Sequence, residues 1–378
     1  MSIVNPDPFR AGADAAQELL DELGRAPDVV LMFASAALDP RAVVDGFYDV
    51  MPAAVRLVGC SSFAEINGEE ALTHSVTAMG MRLGPLEVRV VRGEPGPGRE
   101  VGAAMAAELA SFEPSLLVVL PDVFSLRIGQ LLQGLQGGLW QGFPIVGGAP
   151  ADMGEAVQTH QFLDRAVFTG GVVGLALKGP LRVVTAAHSG YSLFGNERTV
   201  TKSAGARVVE IDGQNAVGMY LEYLGPRAGE LPGAMIEHPL GIVVRGERHR
   251  DEAALLIRMV YGVDQGGEGL ILGNEIEEGT VIRMTRGTRD ELLAAARTAC
   301  RQVAERAPRP AAAFVFDCIS RKVVLGARYK EEIAGAFAGV AEDVPRVGFY
   351  TFGEVSPVDG VAMHHESTFT VAFLVVEG

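Results

Sequence analysis

The side chains of this chain that could do chemistry gather beside glycines. Val58–Glu65 reads VGCSSFAE, Val146–Met153 reads VGGAPADM and Val347–Glu354 reads VGFYTFGE. Gly59, Gly147, Gly148 and Gly348 answer the need of a strand end for positive φ or close packing. Such turns also expose backbone N–H groups that can hold a carboxylate or phosphate. Cys60, Ser61 and Ser62 follow the first glycine and suit either nucleophilic chemistry or hydrogen-bond donation and helix capping. The nucleophile reading needs a base and an orienting acid, and the segment is not a GxSxG elbow. His188 could serve as that base, and no spacing fixes their approach.

Near the C-terminus, Arg321 follows Asp317 and Cys318 in FDCISR, and Glu354 closes the third turn. A guanidinium forks onto a carboxylate. Arg321 and Glu354 could therefore hold both charged ends of an amino acid, or form an internal pair between strand ends. Cys318 would sit beside them, and Arg258 is a further candidate. Among the aromatic residues of the third turn, Tyr350 is expected at a pocket, with Phe349 and Phe352 in the core. Asp152 reads as a cap or turn residue, and Gln161 brackets the same turn. His188, His238, His364 and His365 lack zinc spacing, but a single axial histidine suffices for haem. No metal site is expected.

The elements that position these residues repeat. Each glycine turn is preceded by helix, apolar strand and helix, and is followed by further strands. The first unit opens at Asp7-Pro8, with strand Val29–Ala34 and a helix over about Asp39–Met51. The second has a helix over about Glu100–Phe112, strand Leu116–Leu120, a glycine-weakened helix over Ser125–Trp140 and a long strand Val167–Leu177. The third has a helix over about Asp290–Arg306, strand Ala313–Asp317, a helix over Lys330–Val340 and strand Thr368–Val376. Between the second and third lies a β-rich stretch, about Ala186–Thr288. Its strands are expected at Arg207–Ile211, Leu240–Arg245, Ala254–Tyr261 and Thr280–Thr285, with a helix over Gln214–Leu224. The sum is a mixed α/β fold: mixed sheets covered by helices, built from three α-β-α-β-β units. In open α/β sheets, ligands sit beyond the carboxyl ends of strands.

Bulk composition narrows the function. The chain has 378 residues, 48% of them hydrophobic, enough for sizeable cores. A net charge of −15 argues against a nucleic-acid partner. Three cysteines without a CxxC motif fit a reducing compartment rather than a disulfide framework. No run is apolar for long enough to span a bilayer, and no secretory signal is visible. The expectation is a cytoplasmic protein with no membrane partner.

The turns also carry a resemblance. The chain resembles the FIST family, through VGCSS, GGAPAD and His188–Tyr220 in its N-terminal half. In its C-terminal half the match runs through PLGI (Pro239–Ile242), Glu278-Gly279, FDCISR and GFYTFGEVSP. This implies a FIST N-like domain at 28–222 after an N-terminal helix at 1–27, and a FIST C-like domain at 223–378. It also implies a sensory, non-enzymatic role in signal transduction: binding of a small ligand such as an amino acid, and output through a signalling protein partner. The ligand-binding residues expected are Cys60, Ser61, Ser62, Gly147, Gly148, Arg258, Cys318, Arg321, Tyr350 and Glu354. No cofactor is expected. Some family members are haem proteins that sense nitric oxide, which makes haem on His188, His238 or His365 one alternative, and a hydrolase using Ser61 or Cys60 another. The segment HHEST (His364–Thr368) departs from the family pattern, in which asparagine after the histidine is commoner.

Overall fold

The computed structural model describes residues 1–231, 233–244 and 254–377. Pro232, Arg245 of the expected strand Leu240–Arg245, and Gly378 lie outside them. The fold is mixed α/β. Three six-stranded sheets face a common apolar core, and an eight-stranded sheet forms a separate lobe.

The three sheets share one strand order. Each is centred on a parallel pair: Val29–Ser35 with Arg56–Ser62, Leu116–Pro121 with Ile145–Gly148, and Ala312–Cys318 with Arg346–Thr351. Beside the first member of each pair lies an antiparallel strand, Val76–Met81, Val172–Lys178 or Phe369–Val376. Beside the second member lies a hairpin lent by another part of the chain. Glu65–Leu72 joins the third sheet, Gln161–Phe168 the first, and Glu354–His365 the second. The three sheets are thus tied in a ring.

Fully buried strands read as continuous apolar runs, and those here are filled by Val, Leu and Phe. Their inward side chains, among them Leu31, Phe33, Val118, Leu120, Phe314, Phe316 and Phe349, make one core shared by all three sheets. Outward side chains meet helices. Pro8–Leu23 and Pro40–Val50 cover the first sheet, Gly98–Ala110 and Ile128–Gly138 the second, and Arg289–Arg306 with Tyr329–Phe337 the third. Asp7 and Asp39 cap the first two helices, each followed by proline at the first turn. Gly134, expected only to weaken its helix, lets that helix touch its neighbour: a Cβ there would sit 2.2 Å from the Arg99 carbonyl oxygen.

The lobe comprises the strands between Ser192 and Arg286, with helices Ala216–Leu224 and Gly233–Glu237. Its first strand, Ser192–Ala204, has little apolar alternation because much of it is exposed, and it was not anticipated. Two expected elements divide. Val167–Leu177 breaks at Gly170-Gly171 into Ala166–Phe168 and Val172–Lys178, and Ala254–Tyr261 breaks at Met259. The expected helix Lys330–Val340 is Tyr329–Phe337, and a further short helix, Ile319–Leu325, precedes it. The expected boundary at 222/223 falls inside the helix Ala216–Leu224. Strands from both sequence halves pair within the second and third sheets, so the halves are not separate structural bodies.

Candidate functional site

Gly59, Gly147 and Gly348 occupy one equivalent position in the three sheets. Each pairs with the first parallel strand, at Met32, Val119 and Val315 respectively. A Cβ would meet the carbonyl oxygen of that partner at 2.0, 1.9 and 2.0 Å. Close backbone approach therefore selects glycine here. Gly148 packs against Thr351 and pairs with Glu354, so the second turn is occupied by protein rather than open to a ligand.

Past the glycines, the first and third turns close in the same way. Ser62 donates to Glu65 Oε1 at 2.6 Å, and Ser75 donates to Oε2 through its backbone N–H and its hydroxyl. Thr351 donates to Glu354 Oε1 at 2.6 Å, and the Thr368 N–H to Oε2 at 3.1 Å. Burial pushes Glu65 up to about 7 and Glu354 up to about 8. The hydrogen bonds pull the other way in both. Gln161 takes the corresponding position in the first sheet, and its buried carboxamide has no hydrogen-bond partner. Ser61 donates to the Ala151 carbonyl and accepts from the His160 N–H, both at 3.0 Å. Cys60 lies in the central core, where burial pushes its thiol up. Neither Cys60 nor Ser61 lines the cavity described below.

Arg321 is fully buried and enclosed by protein oxygens. It donates to Glu332, to the Leu292 and Ser367 carbonyls and, at very short range, to the Ser189 carbonyl. Asp317 lies 3.1 Å from its Nε. Burial and the neighbouring Glu332 carboxylate push Asp317 well above the usual range. The Arg321 guanidinium contacts these groups instead of a ligand, and its carboxylate partner is Glu332 rather than Glu354. Tyr350 lies between the third sheet and its helices, beside Tyr329, and Phe349 faces the central core. Phe352, expected in the core, is the aromatic residue of this turn that reaches a cavity.

That cavity, about 450 Å³, opens between the lobe and the carboxyl ends of the second and third sheets. The body contributes Phe124, Ile319, Ser320, Val323 and Phe352, and the lobe contributes Ile236, Met259, Tyr261 and Gly273. Phe124 and Phe352 meet edge to face, with ring centroids 6.1 Å apart. Asp152 shapes the rim. Burial opposes its charge, but the N–H groups of Gly154, Ala156, Val157 and Gln158 hold its carboxyl below the usual range. This fixes the loop that brings Gly154 and Ala156 to the wall.

Behind the wall lies a buried polar layer. Ser320 donates to the Cys318 sulfur at 3.1 Å, and burial followed by Glu354 pushes the Cys318 thiol up. Arg258 donates to the Ile257 carbonyl at 2.8 Å and the His364 carbonyl at 3.3 Å, while its Nε has no hydrogen-bond partner among the described residues. Burial lowers Arg258 from its ordinary value, opposed by Glu366. His364 Nδ1 meets Asn274 at 2.7 Å, and Glu366 Oε2 accepts the Met259 N–H at 2.6 Å. Burial lowers His364 to about 3 and His365 to about 4.

None of His188, His238 and His365 lines the cavity. His188 meets Gln302, His238 meets Arg227, and His365 meets the Ser356 carbonyl. Among the described residues no cluster of three or more His, Cys, Asp or Glu side chains could hold a metal ion. No helix among them is long and apolar enough to cross a membrane.

The FIST N domain matches residues 28–214 and the FIST C domain matches residues 216–357. The chain belongs to the FIST family. FIST domains are sensory domains of signal transduction. An uncharacterised protein of Mycobacterium tuberculosis (strain H37Rv) is 28% identical over 393 aligned residues, covering 98% of this chain and 97% of its own. An uncharacterised protein of Mycobacterium bovis is 25% identical, covering 98% and 96%. Among solved structures, PurLQS from Thermotoga maritima aligns with 99% of this chain and 71% of its own. Its TM-score is 0.21 at 12% identity, which carries no inference.

The cavity of this FIST chain brings together residues that motif reading passed over. Phe124, Ser320, Met259, Tyr261 and Gly273 come from four separate segments, and only the fold makes them neighbours. Glu366 did carry a signal. It is the acidic centre of HHEST, a polar run directly before the apolar strand Phe369–Val376.

Proposed function

We propose that this chain is a ligand-binding sensory protein whose site is the cavity between the three-sheet body and the lobe. One observation carries the reading: a single apolar cavity takes its wall from both parts, so an occupant touches both. A cavity of this size suits a small organic molecule. Because such a molecule contacts two bodies, it shifts any equilibrium between their arrangements by its differential affinity. That shift is the signal, read by a protein partner in the cytoplasm, with no chemistry performed on the ligand.

The wall favours a ligand whose larger part is apolar. An amino acid held by Arg321 and Glu354 fits less well, because Arg321 is enclosed and Glu354 is engaged by Thr351 and Thr368. An amino acid with a large apolar side chain remains compatible with the volume. A thermal-shift screen of small metabolites tests the reading. Ligands of the wild type should raise Tm, since anything that binds only the folded state stabilises it. Val323→Trp, which fills the cavity from an exposed helix position, should keep its unliganded Tm and lose the response. A response unchanged in Val323→Trp places the ligand elsewhere.

A further inference from the structure

Glu366 stands out among the buried groups behind the cavity. The residue is 2% exposed. One carboxyl oxygen accepts the Met259 N–H, and the other is buried with no hydrogen-bond partner among the described residues. Leaving a desolvated carboxyl oxygen unmatched is costly, so such an oxygen marks a place where a donor belongs.

Its position relative to the cavity is set by a glycine. Gly273 lines the cavity and donates its N–H to the Met259 carbonyl at 3.1 Å. A Cβ on Gly273 would lie 2.9 and 3.0 Å from the two Glu366 oxygens and 2.7 Å from the Tyr261 ring. The carboxyl group therefore lies directly behind a wall residue that has no side chain to screen it. Met259 and Tyr261, on either side, also line the cavity. Among the described residues, Arg258 favours the ionised form of Glu366, and burial opposes that form. The rest of the wall is predominantly apolar, with Phe124, Phe352, Ile236, Ile319 and Val323 offering nothing to a polar head.

We infer that Glu366 is the polar anchor of the cavity, and that the ligand is an amphiphilic primary amine whose ammonium meets the free Glu366 oxygen while its apolar body lies against Phe124 and Phe352. The inference rests on the cavity being the ligand site. It adds what the apolar wall alone does not specify, namely the sign and hydrogen-bonding sense of the head group. A carboxylate head is rejected, because it would bring two anions together in a water-poor space.

The test compares heptylamine with heptanoate near neutral pH, by calorimetry on the full chain. Wild type should bind the amine at least about tenfold more tightly than the acid, the scale of one charge-assisted hydrogen bond. Glu366→Gln keeps a carbonyl oxygen for the Met259 N–H but presents an N–H₂ to the head, and should erase that preference. Gly273→Ala keeps the carboxyl group but crowds it and the Tyr261 ring, blocking the approach from the cavity. It should lose the amine as well, giving a second readout if Glu366→Gln fails to fold. Equal binding of both probes that Val323→Trp abolishes would keep the cavity and overturn the anchor. Retention of the amine preference in Glu366→Gln overturns it too, as does failure of wild type to bind the amine at all.

Discussion

Two buried arginines donate to the HHEST segment, Arg258 to the His364 carbonyl and Arg321 to the Ser367 carbonyl, and their surroundings differ. Arg321 finds an oxygen for each guanidinium nitrogen, including the Ser367 carbonyl of that segment. Arg258 donates to the His364 carbonyl of the same segment but leaves its Nε unmatched, and Glu366 beside it leaves an oxygen unmatched. A buried guanidinium whose nitrogens are all matched fixes the arrangement around it, although among the described residues the Asp317 carboxyl and one Glu332 oxygen beside it have no hydrogen-bond partner. An incompletely matched guanidinium next to a cavity leaves capacity for something to bind. The Arg321 cluster is therefore read as framework, and the Arg258–Glu366 layer as receptor. Substitutions at the two should separate stability from binding.

The largest effect is expected at Arg321. Arg321→Met removes the cation and leaves the Glu332 and Asp317 carboxyls in an apolar environment. Breaking a buried pair from one side costs about 3–5 kcal/mol. Urea unfolding should show a loss of that order, or no folded protein. A loss below about 1 kcal/mol, the scale of an exposed pair, would make the cluster peripheral and remove the contrast with Arg258.

Next in size is the glycine that separates paired strands. Gly147 has φ +152°, and a Cβ there would meet the Val119 carbonyl oxygen at 1.9 Å. Gly147→Ala should cost about 2–3 kcal/mol, as overpacking typically does. Gly129, in the helix Ile128–Gly138, has nothing within 4 Å of its Cβ position. Gly129→Ala should instead stabilise by up to about 1 kcal/mol. Opposite signs in one melting experiment would establish that sheet closure, rather than chain entropy, selects Gly147.

These glycines also show how much was legible. VGC, VGG and VGF mark one structural position in three sheets, and the helix–strand–helix pattern before each was readable from periodicity. What the letters do not contain is the exchange of hairpins. A hairpin's sequence fixes its own alternation, but not which distant strand it pairs with. For the same reason Phe352 was assigned to the core and Tyr350 to a pocket. The register of the third turn sets Phe349 inward and Tyr350 outward, and Phe352 lies past the strand end. Arg321 and Glu354 belong to elements that end at one edge, which suggests either an internal pair or a shared ligand. Glu332, from the following helix, reaches the guanidinium instead.

A smaller effect concerns pH. Glu354 is held at about 8 and Glu65 at about 7, both above the ordinary 4.5. A raised carboxyl keeps its proton in the folded state. Its stabilising contribution is complete below pH 4.5 and is lost as pH rises through the folded value. His364 and His365, lowered to about 3 and about 4, act oppositely and lose their contribution below pH 6.5. Above pH 6.5 only the carboxyl effect operates, so stability should fall towards pH 8. Glu354→Gln should lower stability at pH 6.5 but flatten the decline by about 1–2 kcal/mol. An unchanged slope would mean that Glu354 is ionised in the folded protein, supported by Thr351 and Thr368.

The smallest stability effect is expected at Glu366, and it bears most directly on the comparison. Glu366→Gln keeps an acceptor for the Met259 N–H and removes a carboxyl that burial already pushes up to about 6. Little is lost when a poorly matched buried acid becomes its neutral isostere, so the change should stay within about 1 kcal/mol by urea unfolding. Arg321→Met would then damage the framework, while Glu366→Gln leaves the framework and alters only what the cavity accepts. A Glu366→Gln loss as large as that of Arg321→Met would show that Glu366 serves mainly to hold the lobe to the body through Met259. The receptor layer would then be a second framework.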